Sequence, residues 1–163
     1  MDTEVLYKNA ENIVSLLKEK GLTIATAESC TGGLVAATIT SFSGVSKIFE
    51  MGITSYSCRI KNLALKVSNQ TLERFGAISP QCAEEMAINI KRISGADFGL
   101  SVTGVAGPDS SEGHPVGYVY ICVASDKGCK TELLNIEPLG RDYVRTNAAI
   151  SLFQLLEKVI KEY

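Results

Sequence analysis

Thr23-Ile24-Ala25-Thr26-Ala27-Glu28-Ser29-Cys30-Thr31-Gly32-Gly33 is the stretch from which the rest of the chain is read. Leu22 to Ala27 is small, apolar and β-branched, which predicts a short buried strand. Leu34 to Thr40 (LVAATIT) carries a helix-sized apolar run. Glu28 to Gly33 is therefore a tight strand-to-helix turn, and its glycines let a ligand approach the backbone. A first helical turn leaves N–H groups without intrahelical partners at the positive end of the macrodipole, so it can hold a phosphate or a developing oxyanion. The same turn places Ser29 at the carboxyl end of a strand, where α/β proteins bind ligands. The plainer reading is a helix cap and a chain reversal.

Working outward, Thr3 to Lys20 reads as a helix with Val5, Leu6, Ile13, Leu16 and Leu17 on one stripe. Phe49 to Tyr56 reads as a second strand. Ser57 can cap a helix over Cys58 to Lys66, with Ile60, Leu63 and Leu65 facing inward. Ser68 to Phe75 is a further short helical piece. Ser79-Pro80 starts a helix whose apolar positions are Ala83, Met86, Ala87, Ile90 and Ile93. Asp97 to Thr103 is a third strand, followed by the loop Gly104 to Gly117. Tyr118 to Ala124 is apolar on both faces and reads as a central buried strand, with Asp126-Lys127-Gly128 turning into an edge strand over Cys129 to Ile136. Gly140 to Lys161 is the last helix. Helices alternating with strands, then a hairpin, predict an α/β fold: a three-layer α/β/α sandwich with a mixed, mostly parallel sheet. The 163 residues suit one domain over 1–163.

The totals exclude some functions. With 16 basic and 18 acidic residues and a net charge of −2, no broad electrostatic surface for nucleic acid is expected. No apolar run is long enough for a membrane span, and Met1 to Asn9 is too polar for a signal peptide. Five cysteines, with no C-x-x-C pair, suit reduced thiols in the cytoplasm. One histidine and scattered cysteines supply no metal site, and no P-loop is present.

If the strands are parallel, Glu28-Ser29, Tyr56-Ser57 and Thr103-Gly104 meet at one sheet edge. Lys61 falls near the first turn of its helix, where the dipole and desolvation lower its pKa. A neutral lysine can take a proton from a serine hydroxyl, as in Ser–Lys hydrolases; the alternative is a solvated surface lysine. Tyr56 can donate to substrate or to Lys61, or be a partly buried core residue. Cys30 is a rival nucleophile with His114 as its natural partner, or else a small buried thiol. Arg141 and Arg145 lie one turn apart near a helix start and suit a phosphate clamp, unless Asp142 pairs with them.

Five ordered blocks carry a resemblance. They are Ala27 to Gly33, Gly52 to Ser57 with Lys61, Gly76 to Ser79 with Ala83 and Met86-Ala87, Thr103 to Pro108 with Pro115 to Gly117, and Arg141 with Arg145. Together the chain resembles the CinA carboxy-terminal family, whose enzymes are nicotinamide-nucleotide amidases. The resemblance implies an anticodon-binding-domain-like fold and hydrolysis of nicotinamide mononucleotide to nicotinate mononucleotide and ammonia. It implies Ser29 as nucleophile, Lys61 as base, Tyr56 as helper, no metal or other cofactor, and a homo-oligomer. Thr31, Gly32, Gly33, Thr103, Gly104, Gly107, Arg141 and Arg145 are the expected substrate-binding residues. Either Thr31 to Gly33 or Gly104 to Gly107 holds the oxyanion; the other loop or the arginines hold the phosphate. The chain departs from the family pattern at Cys58, where Asn is usual, and at Asp109 to His114, where glycine is more frequent. Larger relatives carry an added amino-terminal domain, so only the amidase-like activity is expected. The rival readings are a non-catalytic nucleotide-binding module and an amidase for another carboxamide.

Overall fold

A computed structural model describes residues 2–163. Helix α1 (Asp2–Lys20) leads into β1 (Ile24–Glu28), α2 (Leu34–Thr40) and, after a short 3-10 turn, β2 (Phe49–Thr54). Then come α3 (Cys58–Leu65), α4 (Asn69–Phe75), α5 (Pro80–Ser94) and β3 (Phe98–Gly104). The hairpin β4 (Tyr118–Ser125) and β5 (Gly128–Asn135) precedes α6 (Arg141–Glu162). The sheet order is β2-β1-β3-β4-β5. β1 pairs in parallel with β2 and β3, while β4 runs antiparallel to both of its neighbours. Four strands thus point one way and β4 alone points back. The expected mixed sheet forms, with β4 one place in from the edge rather than at the centre.

Strand alternation divides the core into two. Ile24, Phe98, Leu100, Val102, Ile121 and Val123 pack with α1, α2 and α6. Ala25 and Ala27 point the other way, toward Leu65, Cys82, Met86 and Ile90 of α3 and α5. On that second face α5 lies so close that a Cβ on Gly99 would sit 2.0 Å from the Ala87 carbonyl oxygen. Ser101 donates to the Ala83 carbonyl at 2.6 Å and Thr103 to the Ala77 carbonyl at 2.7 Å. Small and hydroxylic side chains on β3 are what permit this approach. At three positions the expected apolar stripes overshoot: Val5, Leu63 and Ile93 are exposed. On α3 the inward face is instead Lys61 with Leu65 one turn on.

The topology sets up the site. β1 continues to β2 on one side, and β3 pairs with it on the other. The carboxyl ends of these three parallel strands therefore open into a common crevice, the place where open α/β sheets bind ligands. Among the described residues no helix is long and apolar enough to cross a membrane.

Candidate active site

The crevice is a cavity of about 330 Å³, within the range of small-molecule sites. Its walls include Ser29, Cys30, Tyr56, Cys58, Lys61, Thr103, Gly104, Gly107, Glu112 and Arg141. Ser29 follows β1 directly, and its N–H extends the ladder to the Val102 carbonyl at 2.9 Å. Ser57 caps α3 by accepting from the Ile60 N–H at 3.2 Å, which sets the helix phase that turns Lys61 inward. The Lys61 side chain is 1% exposed. Its Nζ lies 2.9 Å from Ser29 Oγ and donates to the Ser55 carbonyl at 2.8 Å. No carboxylate forms an ion pair with it among the described residues. Burial away from water pushes the amine below its ordinary value of 10.5. Desolvation, more than the helix dipole, is thus what favours the neutral base. In its neutral form the amine can keep one N–H on the Ser55 carbonyl and offer its lone pair to the Ser29 hydroxyl.

Cys30 is the neighbour that does not compete. It is 4% exposed, and burial pushes its thiol up to about 12. This reverses the lowering that a helix amino terminus alone would give. His114 is no partner to it: the ring stacks on Tyr118 with centroids 4.4 Å apart and does not line the cavity.

Tyr56 lies two residues beyond the end of β2, is 60% exposed, and accepts a hydrogen bond from Arg141 rather than contacting Lys61. The carbonyl of Ser55 occupies the position beside the amine instead. Arg141 also donates to the Gly107 carbonyl, so it ties the Tyr56 segment to the loop after β3 across the cavity mouth. Arg145 turns away. It donates to the Thr31 carbonyl from Nη2 at 2.8 Å and from Nε at 3.2 Å, and pairs with Asp142 at 3.2 Å. The two arginines do not form one clamp.

The turn at Thr31 to Gly33 also differs from expectation. The N–H groups of its two glycines are already taken. Gly32 donates to the Ser29 carbonyl at 3.0 Å. The Glu28 carboxylate accepts from the N–H of Gly33, Val35 and Ala36 at 3.1, 3.0 and 2.9 Å. An internal carboxylate sits where a ligand anion was expected, and Thr31, Gly32 and Gly33 do not line the cavity. Among the described residues, the N–H groups of Cys30, Ala106 and Gly107 have no acceptor within the chain. These remain for a ligand.

Sequence reasoning singled out Ser29, Lys61, Tyr56, Thr103, Gly104, Gly107 and Arg141, and the structure brings these seven around one cavity. It missed Ser55, which acts through its main chain, and Glu112. Glu112 lies in the departing loop, accepts from the Ile78 N–H at 3.1 Å, and holds a positive φ of 51°. No group of three or more metal-ligating side chains stands together among the described residues.

Comparison with known proteins agrees with this architecture. A model of the CinA C-terminal domain matches residues 6–160. A competence-damage inducible protein of Streptococcus pneumoniae is 45% identical over 151 residues, covering 93% of this chain and 36% of that protein. One from Caldanaerobacter subterraneus is 40% identical over 152 residues, covering 93% and 37%. The chain thus spans about a third of the length of these curated relatives. Among solved structures, the competence/damage inducible protein CihA of Agrobacterium tumefaciens superposes with a TM-score of 0.91 at 33% identity, covering 94% of each chain. A CinA superfamily protein of Klebsiella pneumoniae gives 0.94 at 26% identity, covering 97% of this chain and 99% of that one.

Proposed function

The chain belongs to the CinA C-terminal domain family, and on that premise we propose that it hydrolyses nicotinamide mononucleotide to nicotinate mononucleotide and ammonia. The observation that carries the reading is the buried Lys61 amine, 2.9 Å from Ser29 Oγ and in no ion pair with a carboxylate among the described residues. Lys61 removes the Ser29 proton as Oγ attacks the carboxamide carbon. The N–H of Cys30, next to the nucleophile, supports the oxyanion. The Lys61 ammonium returns the proton to the departing nitrogen, and ammonia leaves. Water then attacks the acyl-enzyme with Lys61 again as base, releasing the carboxylate and freeing Ser29. The substrate phosphate lies at the mouth, against Arg141 and the N–H groups of Ala106 and Gly107.

Ammonia release from nicotinamide mononucleotide, measured for the native protein, Ser29→Ala and Lys61→Ala, tests this reading. Turnover by the native protein that both variants lose is the expected result. Binding without turnover in the native protein refutes the amidase and favours a nucleotide-binding module, and turnover confined to other amides moves the substrate class.

A further inference from the structure

We infer that Glu28 is the residue that positions both halves of the dyad; the inference rests on the serine–lysine reading above. Glu28 is 1% exposed and has no cationic partner among the described residues. A buried carboxylate in that state is costly unless hydrogen bonds replace its water. Here three main-chain N–H groups at the start of α2 do so. The seven-residue α2 has no capping side chain at Gly33. A serine or aspartate at that position would satisfy the helix with less burial. A glutamate from the preceding strand does something a local cap cannot: it ties the end of β1 to the first turn of α2, and Ser29 lies inside the closed loop.

The main chain of Glu28 reaches the other half. Its carbonyl accepts from the Ser55 N–H at 2.8 Å, and the Ser55 carbonyl in turn accepts from Lys61 Nζ at 2.8 Å. One residue therefore fixes the nucleophile through its side chain and the base through its backbone. The charge of Glu112 raises the proton affinity of Lys61, against the larger effect of burial. Glu28 acts through geometry, and its removal leaves the titration of the base in place.

Glu28→Gln tests this, because the amide keeps the shape but one of its two ends now faces the N–H groups with a donor. Sulfonylation of Ser29 by phenylmethanesulfonyl fluoride, followed by intact mass against pH, reads the dyad without any assumption about substrate. The expected result is a labelling rate at least about tenfold below native, since small misplacements of reacting groups are costly. The acid limb of the rate profile stays where it is, and kcat on nicotinamide mononucleotide falls with little change in KM. Circular dichroism confirms the folded state at the assay temperature; if Glu28→Gln does not fold, Glu28→Asp, one methylene short, is read the same way. Adding formate to Glu28→Ala restores part of the rate by refilling the N–H cradle. Labelling within about twofold of native in the folded variant overturns the inference, and so does a shifted acid limb, which would make Glu28 an electrostatic partner of Lys61. Native protein that labels no faster than Lys61→Ala would instead bring down the serine–lysine reading itself.

Discussion

Replacing Lys61 with methionine exposes what the buried amine costs the fold. In the unfolded chain the amine is protonated below its ordinary value of 10.5; in the native protein burial lowers that value. Between the two, folding must expel a proton, and each pH unit costs about 1.4 kcal/mol. The penalty is absent above 10.5, grows as pH falls, and is complete below the folded pKa. Methionine has a similar outline and titrates nowhere. It leaves the Ser55 carbonyl and the Ser29 hydroxyl without the partners they hold at 2.8 and 2.9 Å, a loss of about 1 kcal/mol each. The native protein should therefore be the more stable by about 2 kcal/mol at the alkaline end. Its advantage should shrink by about 1.4 kcal/mol per pH unit on the way down, then level off. Parallel urea titrations of the two proteins, stepped from neutral pH to above 10.5, measure the gap, and other titrating groups cancel in the difference. The acid limb of kcat/KM should fall at the pH where the gap levels off, since one proton governs both. A stability gap independent of pH would mean that Lys61 titrates normally in the native protein, and the neutral base would be lost with it.

Three further outcomes follow from the geometry. Ser29→Ala should lose at least about 10³-fold in ammonia release whereas Cys30→Ala stays within about threefold, because only the first removes a group in contact with the base. Arg141→Ala should raise KM about 10- to 150-fold, the loss of a charge-assisted contact worth about 1.5–3 kcal/mol; Arg145→Ala, whose guanidinium holds the Thr31 carbonyl, should instead lower the melting temperature with KM unchanged. Gly99→Ala should cost at least about 2 kcal/mol in denaturant melts, since its Cβ would press on the Ala87 carbonyl oxygen at 2.0 Å.

The sequence of elements and the layer class were legible because period and punctuation agree, whereas the order of strands across the sheet was not. The apolar run before Glu28, the Ser79-Pro80 start and the Asp126-Lys127-Gly128 turn each mark an element that forms within a residue or two of its expected bounds. Lys61 was legible as a candidate by type and position. Its burial was not, because a single lysine among Ile60, Leu63 and Leu65 looks like the polar side of a helix. The helix rotates so that Lys61 and Leu65 go in and Leu63, 57% exposed, goes out, a choice made by packing on α5. Main-chain acceptors such as the Ser55 carbonyl leave no mark in side-chain patterns. Nor did the sequence reveal that the three N–H donors at the start of α2 would be claimed by Glu28, since an acid before a helix reads equally well as a favourable surface charge.

The sealed sulfur beside the nucleophile has a consequence for when such a molecule can work. A thiol hydrolase exposed to peroxide risks its own attacking atom, because the thiolate is what oxidises. In the proposed mechanism the attacking atom is oxygen, and Cys30 is both shut away and held protonated. Cys58 also lines the crevice and, unlike Cys30, is exposed to an entering oxidant. Turnover should then outlast conditions under which sulfur-based hydrolases fall silent.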